Sequence, residues 1–243
     1  MNSRAISAQA RAELLLQMRR GENAIVTLAV PIGVLVFFAK VDAITTDFSD
    51  PLDFLVPGVL ALSVMAAAMV SLGIATGFER RYGVLKRLGS TPLSRGGLLV
   101  AKTATVLLLE VVQFALVILT GLALGWQVTS GVVPALGLLL LGTVAFAGIG
   151  LLMAGTLRAE ANLAASNALF LVLLFLGGMA YPLDRLPDAL RIVAEALPAA
   201  ALAEAVRDVL TSGHAFPLGH VLVLLAWAIA APLAAARFFT WEE

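Results

Sequence analysis

Glu79-Arg80-Arg81-Tyr82-Gly83-Val84-Leu85-Lys86-Arg87-Leu88-Gly89-Ser90-Thr91-Pro92-Leu93 decides how this chain is read. It lies between two long apolar runs, yet Arg80, Arg81, Lys86 and Arg87 fall within nine residues. A single arginine or lysine at the centre of a membrane helix costs at least about 2.5 kcal/mol. The stretch therefore projects from a membrane, and the runs on either side cross it.

Composition agrees. The 243 residues are 60% hydrophobic and 13% charged, with a mean hydropathy of +0.98. Soluble domains carry about 25% charged residues, so this is a polytopic membrane protein. The net charge is zero, which names no nucleic-acid partner, and the absence of cysteine excludes disulfides and thiolate metal sites. An excess of arginine over lysine, with abundant alanine, points to a GC-rich bacterial genome.

A spanning helix needs about 20 mostly apolar residues. Six runs qualify: residues 24–43, 54–78, 98–126, 132–157, 163–181 and 216–239. With the N-terminus in the cytoplasm, the inner segments hold 12 lysines and arginines and the outer segments hold 4. That bias sets the orientation with both ends inside. The outer loop after the first span is acidic, with Asp42, Asp47, Asp50 and Asp53.

Two further segments are too short or too polar to cross. In residues 1–23, Ile6, Ala10, Leu14 and Met18 form one stripe, with Arg4, Arg11 and Arg19 on another side. This reads as an amphipathic helix on the inner leaflet, the alternative being a plain solvated leader. In residues 182–212, two apolar-periodic pieces are split by Pro198, and Pro187 opens the first. Leu186, Leu190, Val193 and Leu197 share one face, as do Leu202, Val206 and Val209. Two short amphipathic helices fit a re-entrant hairpin in the outer leaflet, or else a soluble outer cap. Gly73-x-x-x-Gly77 and Gly121-x-x-x-Gly125 read as close-packing motifs.

Catalytic motifs are missing. There is no His-Glu-x-x-His, no Gly-x-Ser-x-Gly and no phosphate loop, so the chain has no visible means of hydrolysing ATP. His214 and His220 read as interfacial, non-catalytic residues at the outer mouth, and no metal site is expected. Glu110 is the one carboxylate deep in a span, with Gln113 on the same face. It serves either a transport path or interhelical hydrogen bonding. The spans are otherwise poor in polar groups, which suits a hydrophobic or amphipathic cargo better than an ion.

The chain resembles the membrane subunits of type-2 ABC exporters, permeases related to drug, polysaccharide and lipid exporters. The resemblance rests on Phe78 through Arg95, with its acidic-basic pair, glycine, Leu85-Lys86-Arg87-Leu88 core and Thr91-Pro92. It rests also on Gly177-Gly178-Met179-Ala180-Tyr181-Pro182 with the following Leu183 to Pro187, on Leu197-Pro198, and on Ala205 to Leu210. A leader helix, six spans and both ends inside complete it. It implies an all-α membrane fold, a single transmembrane domain over residues 1–243 with a cytoplasmic coupling helix between spans two and three. It also implies a dimer with a second permease chain, identical or not, in a bacterial inner membrane. Two copies of a separately encoded ATPase would bind ATP and Mg, while this chain binds no cofactor. The coupling helix would span residues 81–88 and dock on the ATPase, with Glu79 at its start. Tyr82, Leu85 and Leu88 would make its apolar contacts, and Arg80, Arg81, Lys86 and Arg87 its polar ones.

Other readings are open. The cations at 80–87 could simply obey the inside-positive bias. The chain could be a membrane-embedded assembly protein docking a cytosolic partner, or an ATP-independent carrier or channel. The unsatisfied apolar residues among the cations favour docking.

Overall fold

The structure, a computed structural model, describes residues 3–19, 21–41, 50–91, 93–128, 131–212 and 217–242. Every regular element among them is helical. Helix α1 (Ser3–Arg19) precedes α2 (Gly21–Val41). A continuous helical run, Pro51–Arg81, follows. It comprises α3 (Pro51–Val64), a π-helical stretch (Met65–Ser71) and α4 (Leu72–Arg81). Then come α5 (Val84–Gly89), α6 (Arg95–Ala123), α7 (Val132–Thr156) and α8 (Ala159–Leu176). After them run α9 (Asp188–Glu195), α10 (Pro198–Arg207) with a π-helical extension (Asp208–Ser212), and α11 (Leu218–Phe238).

Among the described residues, five helices are long and apolar enough to cross a membrane: Pro51–Arg81, α6, α7, α8 and α11. The described apolar part of α2 is the shorter Leu28–Val41. Asp42 and Asp47 lie outside the described residues. Asp50 caps α3, its Oδ1 accepting from the Leu52 amide at 2.9 Å, and Pro51 occupies the first turn, where its missing N–H costs nothing.

Helix α7 is the centre of the bundle. Gly148 lets the α11 backbone at Pro232 approach so closely that a Cβ would sit 2.5 Å from the proline nitrogen. On another face, a Cβ at Gly150 would meet the Met69 carbonyl oxygen at 2.5 Å. Lipid is as apolar as a side chain, so helices in a membrane associate through such close backbone packing and through hydrogen bonds.

The two glycine pairs differ in role. Gly73-x-x-x-Gly77 packs within the chain: Asn162 on α8 donates from Nδ2 to the Gly73 carbonyl at 2.9 Å, and a Cβ at Gly77 would collide with that amide. Gly121-x-x-x-Gly125 is not a packing motif along its length. Gly125 has φ +103° and terminates α6, with the Trp126 amide donating to Gly121 and the Gly125 amide to Leu122. This is a helix-ending turn that only glycine enters without strain. Trp126 Nε1 then donates to Asp53 Oδ1 at 3.0 Å, tying the end of α6 to the start of α3.

The expected amphipathic pairing of the 182–212 segment is half met. Pro198 starts α10 as well as ending the piece before it. Leu202, Val206 and Val209 are buried in the core, as one face. Leu186 is buried too, but Leu190 and Val193 are exposed on α9. The shared face expected for the first piece is therefore split, because Leu186 precedes the helix and belongs to a small separate cluster with Leu183, Ala194 and Ala200.

Candidate functional site

Helix α4 does not run on into the basic segment. Gly83, with φ +71°, breaks the chain after Tyr82, and α5 begins afresh at Val84. The helix expected over residues 81–88 is thus shifted to Val84–Gly89, and Glu79, Arg80 and Arg81 belong to the end of α4. The break follows from the Tyr82-Gly83 pair: a left-handed residue costs an L side chain 1–2 kcal/mol by rough estimate, and glycine nothing.

The charged residues at this end are already engaged. Glu79 Oε2 lies 2.7 Å from the ammonium of Lys102 on α6, and Glu13 Oε1 on α1 lies 2.8 Å from the same nitrogen. Lys102 is buried. One ammonium therefore joins α1, the end of α4 and the start of α6. Ile6 and Ala10 face α6 as well, Ile6 against Gly97 and the Ala10 carbonyl accepting from Thr105 at 3.4 Å. That part of the stripe expected to lie on the leaflet packs on protein instead.

Arg80 is 4% exposed. Its guanidinium donates to the carbonyls of Ala154 and Leu157 at 2.8 and 2.7 Å, and to Thr240 Oγ1 at 3.4 Å. Arg81 pairs with Glu160 at the start of α8. Lys86 lies 3.2 Å from Glu242.

The apolar residues divide. Leu85 is 0% exposed and joins the main core, and Leu88 packs against that core. The contacts expected of Leu85 with an ATPase are excluded while it is seated there, since a short helix on a bundle must turn one side inward. Tyr82 is 70% exposed, stacked 6.1 Å from the Phe78 ring, and Val84 is 43% exposed. The outward face of this loop is Tyr82, Val84, Lys86 and Arg87.

Within the bundle, Glu110 is fully buried and its Oε2 accepts from the Thr143 hydroxyl of α7. Among the described residues, the buried Glu110 Oε1 has no hydrogen-bond partner. Gln113, also buried, lies on the same face of α6. At the opposite end of the bundle His220 Nδ1 is 3.7 Å from Asp208, beside a cavity of about 380 Å³ lined by Arg191, Arg207, Glu195 and Glu204 among others. His214 lies outside the described residues.

A family model described as ABC-2 type transporter matches residues 4–211. The chain belongs to the ABC-2 type transporter family. It is a multi-pass membrane protein and the permease component of an ABC transporter, which pairs with an ABC ATPase subunit. No curated protein matched the chain.

In this ABC-2 permease the residues that organise the loop are scattered along the chain. Lys102 and Glu13 stand in different segments, and only the fold brings them to one point. Thr240, Trp241 and Glu242 follow the last span and match no motif. A polar signal is present at Asn162, an amide at the edge of an apolar run, and at Thr143.

Proposed function

We propose that this chain is the export permease of an ATP-driven transporter, and that a separately encoded ATPase docks on the outward face of α5. Two permease chains, identical or a heterodimer, would each present one α5 to one of two ATPase copies, which bind ATP and Mg while this chain binds neither. The observation that carries the reading is the exposure of Tyr82 and Val84 beside Lys86 and Arg87 on a loop whose other side is built into the bundle. An exposed aromatic and an exposed aliphatic residue rimmed by cations form a patch of the kind that partner surfaces cover.

Residues 1–243 would act as one transmembrane domain of six spans. The end of α6 and the start of α3 meet through Trp126 and Asp53, while α1 is held at the Lys102 end. Helix α2 must connect those two ends, which supports its crossing as the first span. The α5 end carries α1, the loop and the C-terminal tail. The excess of lysine and arginine there supports placing it in the cytoplasm of a bacterial inner membrane. The nearly wholly buried α10, behind the exposed apolar side chains of α9, supports a hairpin that dips into the outer leaflet. Export, and a hydrophobic or amphipathic cargo such as a drug, antibiotic or lipid, follow from the resemblance to exporters and from the scarcity of polar groups in the spans. Glu110 acts between helices α6 and α7.

The chain has no cysteine, so a single Val84→Cys variant carries one thiol. A thiol-to-amine cross-linker on the purified complex is expected to join position 84 to the ATPase, and to join nothing to it from Ile192→Cys on α9. No adduct from position 84 contradicts the docking site.

A further inference from the structure

The Tyr82-Gly83 break raises a mechanical question. Beyond the break at Gly83, Leu85 seats α5 in the core, so its angle depends on what holds its other end. The surroundings of α5 identify what does. Residues 239–242, beyond the segment that the family model matches, fold back from the end of α11 onto the loop. A Cβ at Gly89 would come within 3.2 Å of the Trp241 ring, so the indole lies directly on α5. Trp241 stands edge-on to Phe239, ring centroids 6.0 Å apart. Phe239 is fully buried against Gly155 at the end of α7, where a Cβ would meet its ring at 2.4 Å. The Thr240 amide donates to the Gly155 carbonyl at 3.2 Å, and Arg80 donates to the Thr240 hydroxyl. Lys86 and Glu242 pair across the same contact, but both are largely exposed. Such pairs contribute little in water, so the indole and the anchored Phe239 and Thr240 carry the contact.

We propose that the C-terminal tail, residues 239–242, is a brace that sets the orientation in which α5 meets the ATPase. The inference rests on the docking reading above and goes further: docking depends on a segment that holds the helix along its Lys86–Gly89 edge. A Cβ at Gly89 would crowd the indole, which would have to give by a few tenths of an ångström. Phe239 and Thr240 fix the tail to α7, Trp241 presses on α5, and Arg80 locks span two to the same point.

The test uses the full-length permease in lipid nanodiscs. Without ATPase, amide hydrogen exchange across α5 is expected to be at least tenfold faster in Trp241→Ala than in the wild type, with α7 and α10 unchanged. Unchanged exchange in α5 overturns the proposal. Should Trp241→Ala fail to fold, truncation after Thr240 keeps Phe239 and Thr240 seated and removes the indole, with the same expectation. The recovery of the ATPase that co-purifies with the wild-type chain is then expected to fall at least fivefold in the variant. Faster exchange with undiminished recovery also overturns the brace. Val84→Asp separates the two readings. If it loses the ATPase while Trp241→Ala keeps it, the brace alone fails. If Val84→Asp keeps it too, docking at α5 fails.

Discussion

Arg80 Nη2 donates to the carbonyl oxygen of Leu157 at 2.7 Å, joining the end of α4 to the end of α7. The last carbonyls of a helix have no intrahelical donor. Arg80 satisfies two of them at once, with the Ala154 carbonyl as the second. The residue that the charge pattern offers as a docking cation is thus part of the scaffold.

Arg80→Ala leaves these carbonyls without their charged donor. Hydrogen bonds to charged groups contribute about 1.5–3 kcal/mol each, so thermal unfolding of the purified permease is expected at a clearly lower temperature. Arg87→Ala, at an exposed position, is expected to leave it unchanged. Equal melting of the two variants contradicts the assignment.

Lys102 bridges Glu13 and Glu79. Lys102→Met leaves two carboxylates facing each other, and removal of one partner from a buried pair costs on the order of 3 kcal/mol. The leader helix is expected to loosen, so that trypsin cuts after Arg11 faster by tenfold or more. Glu13→Gln, which keeps a hydrogen-bond acceptor, is expected to change the rate much less. Equal cleavage of Lys102→Met and wild type counts against the clasp.

Thr143→Val strands the Glu110 carboxyl without its hydroxyl partner. The cost of an unsatisfied buried polar group is about 1–3 kcal/mol or more, read as a lowered unfolding temperature. Glu110→Gln retains an oxygen for Thr143 to donate to. If Glu110 serves only to join α6 and α7, this variant folds and transports at the wild-type rate. Loss of transport by a well-folded Glu110→Gln points instead to a role in the path.

Gly150→Ala places a methyl group against the Met69 carbonyl. Overpacking of this kind costs about 1–3 kcal/mol, so its unfolding temperature is expected to fall below that of Gly137→Ala, where a Cβ meets nothing. Equal stability of the two contradicts the close crossing of span two and α7.

The apolar runs and the lone basic stretch make the helical, membrane-crossing character legible in the amino-acid sequence, because length and hydropathy are local properties. The site is legible only in outline. Arg80 and Leu85 look alike in sequence to Arg87 and Leu88, yet two of them are buried, because the turn at Gly83 decides which side of α5 faces the bundle. Glu79 reads as a helix-start residue, and its true partner lies on α6. The bracing tail carries no pattern of its own; its meaning comes from Gly89 and Gly155, which are distant in sequence and close in space.

The central claim is that the ATPase covers the outward face of α5, with Tyr82 and Val84 as its apolar contacts. The most direct measurement is recovery of the ATPase with affinity-purified permease carrying both Val84→Asp and Arg87→Glu, two exposed positions that leave the seated Leu85 intact. The expected result is loss of at least nine-tenths of the ATPase from a permease whose yield and unfolding temperature match the wild type. Recovery of the ATPase at the wild-type ratio would contradict the claim.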